Sequence, residues 1–313
     1  MLSATVGSSQ IVGDIHRFNL SDFANGPIVD GIEYDTDVAI ITGIGVSGNN
    51  VYVCNTGQGG SYDTSTRQVR LMTVDNAMAV TSTTDVSSVS TTQLRDMHIN
   101  KDENKVLLGD TGNKLNAADW PGLTNHTTIS SPLGVPVSGC CWNHDGTKVA
   151  VVGSSGNANI ARSYSLSSAY DLSTASALSS TINIANVTTD VTTNGAVTGV
   201  KFNKDGTKVY FSTGENFNSN DKIREFTLST AYTFTASDLT TPSYTLDMTT
   251  YIDKRTEGDT GYSNTSVYDS MGGFDWSEDG RSLFVCLTFG GGSTALGTPA
   301  HGNNRFAIFS LTV

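Results

Sequence analysis

Apolar and polar residues alternate with a period of two along most of this chain, and short polar turns interrupt the alternation. The clearest example is GVKFNKDGTKVYFSTG (199–214), which reads as a strand, a tight turn and a second strand. The pattern returns in SGCCWNHDGTKVAVVG (138–153), RDMHINKDENKVLLGD (95–110), GGFDWSEDGRSLFVCL (272–287) and, more loosely, TGIGVSGNNVYVCNTG (42–57). The turns carry Asp-Gly in three copies, Asp-Glu-Asn in one and Gly-Asn-Asn in another. Asp, Asn and Gly tolerate the positive φ that tight hairpins need. Third strands repeat as well: ARSYSLSSAYDLSTA (161–175) parallels REFTLSTAYTFTASD (224–238). Leu166 and Leu228 are 62 positions apart, against 60 for Asp145 and Asp205, so two separate landmarks share one register.

These copies divide a single domain, 1–313, into units at about 1–37, 38–92, 93–134, 135–191, 192–253 and 254–313. The first is partial. TVGSSQIVGDIHRFNLSDF (5–23) aligns with 151–170, which predicts a third strand around 16–20 and a fourth near 28–32 but no first strand. The last unit supplies three strands and stops at RFAIFSLTV. The copy at 93–134 is the most degenerate, with a long irregular stretch expected after Asp110. No stretch has helical periodicity. Repeated four-stranded antiparallel units without helices predict an all-β fold, a β-propeller of six blades, with five or seven as alternatives. The terminal units either meet in an atypical closing blade or borrow a strand from a neighbouring subunit; both remove an exposed sheet edge.

Charge narrows the partners. The net charge is -12, from 18 basic and 30 acidic residues, and nucleic acid is not an expected partner because phosphate binding needs clustered Lys and Arg. No segment has the apolar length to span a bilayer, so membrane insertion is not expected. The N-terminus, MLSATVGSSQIVGD, lacks the basic start and apolar core of a signal peptide; export by that route is not expected unless a leader has been removed. The four Cys, at 54, 140, 141 and 286, form no Cys-x-x-Cys pair and read as buried thiols. Cys140 and Cys141 are strand neighbours whose side chains must point to opposite faces.

The first-to-second-strand turns are all short. Long links are expected at 57–66, after Asp110, and at 214–221, 254–270 and 289–304, and alternation places them on one face. Loops held by a rigid scaffold usually carry binding. The candidate contact residues there are Tyr62 and Asp63; Trp120 and His126; Asn216 and Asn218; Tyr262, Tyr268 and Asp269; and His301. Tyr and Trp offer stiff contact area, and Asn adapts its hydrogen bonds. Catalytic residues are not expected: there is no nucleophile elbow, zinc-binding His-Glu-x-x-His or P-loop, and no His has an evident partner. No cofactor or metal is expected. The Asp of NKDGTK reads as a turn residue rather than a calcium ligand. An acidic group at Asp253, Glu257, Asp259 and Asp269, and the propeller centre, are the places for a weak Ca²⁺ alternative.

The pairing of FNKDGTKVYF with IREFTLSTAY, strongest over 135–253, resembles propeller-type repeats in predicted structural and tail-associated proteins of marine bacteriophages. The resemblance implies a non-enzymatic virion protein on the tail or capsid surface. It would assemble with other virion proteins as an oligomer or larger array and contact a host surface glycan or receptor. The alternatives are a propeller hydrolase or lyase acting on a sugar or lactone, and a free lectin.

Overall fold

The computed structural model describes residues 17–20, 27–29, 41–48, 50–55, 68–73, 80–155, 158–184, 195–215, 221–248, 269–277, 282–289 and 305–311. They form an all-β protein of five sheets; the sole helical feature among them is a 3-10 turn at Leu172–Thr174. Two short N-terminal strands, β1 (Arg17–Leu20) and β2 (Pro27–Val29), come first. The first sheet is β3 (Ile41–Ser47), β4 (Asn50–Asn55), β5 (Gln68–Thr73) and β6 (Val80–Asp85). The second is β7 (Leu94–Ile99), β8 (Lys105–Asp110), β9 (Lys114–Asp119) and β10 (Thr127–Ser130). The third is β11 (Val137–Trp142), β12 (Lys148–Ser155) and β13 (Ala158–Leu166), flanked by the short strands β14 (Ala175–Ala177) and β15 (Ile182–Asn183). The fourth is β16 (Gly195–Phe202), β17 (Lys208–Glu215), β18 (Lys222–Thr227) and β19 (Tyr244–Asp247). The fifth starts with β20 (Asp269–Trp276), β21 (Ser282–Phe289) and β22 (Arg305–Leu311).

The N-terminal strands complete the fifth sheet, whose order is β2-β1-β22-β21-β20. β1 runs parallel to β22, with Phe18 opposite Phe309, and β2 is antiparallel to β1. The first and last sequence units therefore share one sheet, and the described strands fall into five sheets where the sequence pattern suggested six units.

Each core lies between two neighbouring sheets. Val149 and Val151 of β12 pack with Leu107, Leu115 and Val137 on one side, while Ala150 and Val152 pack with Val197, Val200 and Phe211 on the other. The same alternation sends Cys140 into the first of these cores and Cys141 into the second, as a strand requires. Burial on both faces explains why the second strands are apolar almost throughout.

The five first strands, β3, β7, β11, β16 and β20, contact one another in chain order, and β20 also contacts β3. All five carry a register shift at the same place, at Ile41/Gly43, Leu94/Asp96, Val137/Gly139, Val197/Gly199 and Met271/Phe274. A bulge sharpens local twist. Recurring at one position, it bends every first strand alike where the sheets meet.

The turns that follow are also built alike. Asn143 Oδ1 accepts from the Lys148 N–H at 2.8 Å, and Asn203 Oδ1 from the Lys208 N–H at 2.9 Å. Asp145 and Asp205 accept from the N–H groups of Thr147 and Thr207 at 2.9 and 3.0 Å. Gly146 and Gly206 sit at φ +72° and +70° beneath the rings of Tyr170 and Tyr232. A Cβ at either glycine would lie within 2.6 Å of ring carbons. The N–H groups of Tyr170 and Tyr232 close the contact by donating to the Gly146 and Gly206 carbonyls, both at 2.9 Å. The two landmarks seen in the sequence flank this joint: Asp145 and Asp205 lie in the turns, and the N–H groups of Leu166 and Leu228 donate to the Thr147 and Thr207 carbonyls at 2.7 and 2.8 Å.

Candidate functional site

Five equivalent positions face one another where the first strands meet: Gly43, Asp96, Gly139, Gly199 and Gly273. The approach is close. A Cβ at Gly139 would lie 2.6 Å from Gly199 Cα, and one at Gly43 would lie 2.5 Å from Asp96 Cα. Only glycine permits that spacing, so four of the five positions are glycine. The fifth, Asp96, fills the space that they leave. Its Oδ2 accepts from the Cys140 N–H at 2.9 Å, and its Oδ1 is buried without a hydrogen-bond partner.

Two residues further along each strand stand Gly45, His98, Cys141, Lys201 and Asp275. Lys201, 2% exposed, reaches across the centre to the carbonyls of Met97 (3.3 Å) and Cys140 (3.4 Å), with Asp275 Oδ2 3.8 Å away. Asp275 in turn ties the last sheet to the first: its Oδ2 accepts from the Val46 N–H at 3.0 Å. His98 makes the matching bond two interfaces on, between the second and third sheets, where Nδ1 accepts from the Trp142 N–H at 3.0 Å. That bond places the ring proton on Nε2, which lies 4.0 Å from Asp275 Oδ2.

Burial sets the protonation states. It would drive Lys201 down, but the carboxylates of Asp275 and Asp96 more than offset it and hold the ammonium charged. It pushes Asp96 up to about 7 against the opposing pull of Lys201, and it raises Asp275 as well. It also drives His98 well below its usual range, helped by Lys201, so the imidazole is neutral. Burial pushes Cys54 and Cys141 up to about 12, and Cys140 and Cys286 up too; all four are free, buried thiols. A buried thiol is a poor nucleophile. The centre thus holds one cation between two carboxylates, one of which takes up a proton near neutrality.

Beside this layer, at the end of the sheets where the short turns lie, is a cavity of about 370 Å³. His98 and Asp275 lie at its inner end, and the partly buried rings of Phe202, Tyr210 and Trp276 form its walls. Tyr210 and Trp276 pack at 5.2 Å and 60°. Trp142 also lines it but is only 3% exposed. Lys101, His144 and Lys204, the first turn residues of three successive sheets, stand exposed at its mouth. The Asn residues before them are committed to their own turns.

The candidates read from the sequence fall elsewhere. The side chains of Tyr62, Asp63, Asn216, Asn218, Tyr262, Tyr268 and His301 lie outside the described residues, as do those of Asp253, Glu257 and Asp259. Asp269 is described only as the first residue of β20. Trp120 and His126 require a correction. The stretch after Asp110 is a regular hairpin, β8–β9, whose turn is set by Asn113 at φ +59° and by Asp110 Oδ1, which accepts from the Gly112 N–H at 2.9 Å. Trp120 and His126 follow the third strand of that sheet, and the Trp120 N–H donates to the Asn104 carbonyl in the short turn at 2.8 Å. They therefore belong to the short-turn end and not to the long-link end. Trp120 packs edge-on against Tyr52, and His126 Nε2 is 2.9 Å from Thr128 Oγ1.

Among the described residues, no group of three or more His, Cys, Asp or Glu is placed to hold a metal ion, and no helix is long and apolar enough to cross a membrane. Compared with known proteins, the chain matches no family model and no curated sequence. The central residues were overlooked because each is a single departure from a repeat. Aligning the five first strands would have exposed them, since one column reads Gly, His, Cys, Lys, Asp while its neighbours stay small or apolar.

Proposed function

We propose that the five sheets are the blades of a five-bladed β-propeller, and that the protein is a non-enzymatic structural and adhesion subunit on the surface of a virus particle. The observation that carries the reading is the gathering of four links at one end, with the 228–243 link between β18 and β19 at the other end packed onto its own turn. The links spanning 56–67, 216–221, 248–268 and 290–304 all leave the end opposite the short first turns. A platform of sheets locked by Asp96, His98 and Asp275 holds those links at one face, which suits repeated contact with neighbouring subunits or a host surface. The assignment to a virus particle rests on the resemblance of 135–253 to bacteriophage repeats. A non-catalytic role is supported by the centre itself, where the thiols are buried and His98 and Lys201 are engaged with backbone and carboxylate partners.

Light scattering at several concentrations tests this. A stable oligomer is expected, and replacing 57–66 and 258–266 by short Gly-Ser links should dissociate it without lowering the melting temperature by more than a few degrees. A monomer at every concentration, or a collapse of the fold on loop replacement, would overturn the reading.

A further inference from the structure

The cavity at the short-turn end lies opposite the proposed contact face, and its lining has a consistent chemistry. Its volume, about 370 Å³, is at the small end of ligand sites and suits one sugar ring better than an extended chain. Phe202, Tyr210 and Trp276, partly buried against the neighbouring cores, present aromatic surface to the cavity, against which the C–H face of a pyranose can stack. At the inner end, the His98 Nε2–H donor and the Asp275 carboxylate lie 4.0 Å apart. Neighbouring hydroxyls, each able to donate and accept, satisfy such a pair; a plain aromatic ring cannot.

The mouth adds charge. In a chain of net charge -12, three successive sheets place Lys101, His144 and Lys204 against the cavity. The acidic residue after each, Asp102, Asp145 and Asp205, does not line it, and Asp145 and Asp205 bond their own turns. Among the described lining residues the only carboxylate is Asp275, which Lys201 already faces. An anionic group is therefore favoured at the mouth by Lys101 and Lys204 and gains no comparable attraction at the inner end, where Asp275 and Lys201 offset each other, which orients the ligand with hydroxyls inward and its acid outward.

We propose that this cavity binds an acidic sugar, a hexuronate residue held by its carboxylate at Lys101 and Lys204 and by its hydroxyls at His98 and Asp275. The site is independent of the long-link face, so it can stand or fall without the assembly reading.

The test is calorimetric titration of the full-length protein with glucuronate and galacturonate, beside glucose, galactose and 4-hydroxybenzoate. At low salt the uronates should bind at least tenfold more tightly than the neutral sugars, and 0.5 M NaCl should erase most of that margin, roughly as charge screening requires. The exposed pair Lys101→Ala/Lys204→Ala should remove the preference while neutral-sugar affinity stays within about twofold, since a mouth charge acts on the anion alone. Equal affinity for neutral and acidic sugars would overturn the charge assignment. Binding of 4-hydroxybenzoate as tight as that of the uronates would overturn the sugar assignment. Absence of binding by any of these probes would overturn the site.

Discussion

The turns of the third and fourth sheets match almost bond for bond, yet the first strands that lead into them match only in backbone. Asn143, Asp145, Gly146 and Tyr170 have counterparts in Asn203, Asp205, Gly206 and Tyr232 with the same partners. The preceding strands share a bulge and a glycine, but Cys141 stands where the next sheet has Lys201. The turn repeats because every sheet must solve the same local problem of chain reversal. The central position diverges because five copies of one side chain cannot coexist there: five lysines would repel, and five aspartates would be buried without countercharge. In a self-similar fold, repetition marks architecture, and the columns that break it mark where the copies act together.

That contrast can be broken most severely at Lys201. Lys201→Met should cost roughly 3–5 kcal/mol, because it strands Asp275 and Asp96 in the interior. Urea denaturation at pH 7 measures the loss, and adding Asp96→Asn should restore part of it. A cost below about 1 kcal/mol would mean that the ammonium does not hold the centre together.

Gly139→Ala comes next. Its Cβ would stand 2.6 Å from the Gly199 backbone, which cannot move without shifting a neighbouring sheet. About 2–3 kcal/mol of destabilisation is expected from such overpacking, read as a lower urea midpoint at unchanged m-value. Tolerance without loss would show that the sheets approach less closely than described.

Asp96 offers a pH-dependent contrast. Its carboxyl moves from 3.8 to about 7 on folding, so the folded state binds the extra proton in that interval. Its contribution to stability is full below pH 3.8 and is lost as pH rises through 7. His98 has the opposite sign: held neutral, it contributes fully above 6.5 and loses that contribution as pH falls below. Asp96→Asn should therefore stabilise the protein at pH 8, by roughly 1–3 kcal/mol, and do little at pH 4. Melting curves at both values check this. An equal effect at both would remove the carboxyl's titration as the cause.

The smallest effect belongs to the repeated joint. Tyr232→Phe should cost roughly 0.5–1.5 kcal/mol through loss of the hydroxyl bond to the Lys204 carbonyl. Tyr170→Phe, whose hydroxyl contact to the His144 carbonyl is long at 3.4 Å, should cost less. Equal costs would show that ring packing, not the hydrogen bond, sets the joint.

Local sequence fixed a good deal of this protein on its own. The period of two, the Asn-x-Asp-Gly turns and the recurring Leu-Ser-x-Ala-Tyr segments specify strands, hairpins and the repeat, because φ tolerance and side-chain alternation act between near neighbours. Even the alternate burial of Cys140 and Cys141 follows from strand geometry alone. Contacts between sheets could not be read this way. That β1 lies against β22, that Asp96 sits among four glycines, and that Lys201 faces Asp275 each depend on how distant segments meet. The hairpin after Asp110 was missed because its turn relies on Asn113 and the Asp110 side chain rather than on an Asp-Gly pair. The cavity was missed for a deeper reason. It is walled by residues from different sheets, including His98, Phe202 and Trp276, and no single stretch of chain contains it. Sequence decided the pieces through short-range sterics; only tertiary packing, which brings charges and rings from distant strands within a few ångströms, decided what they do together.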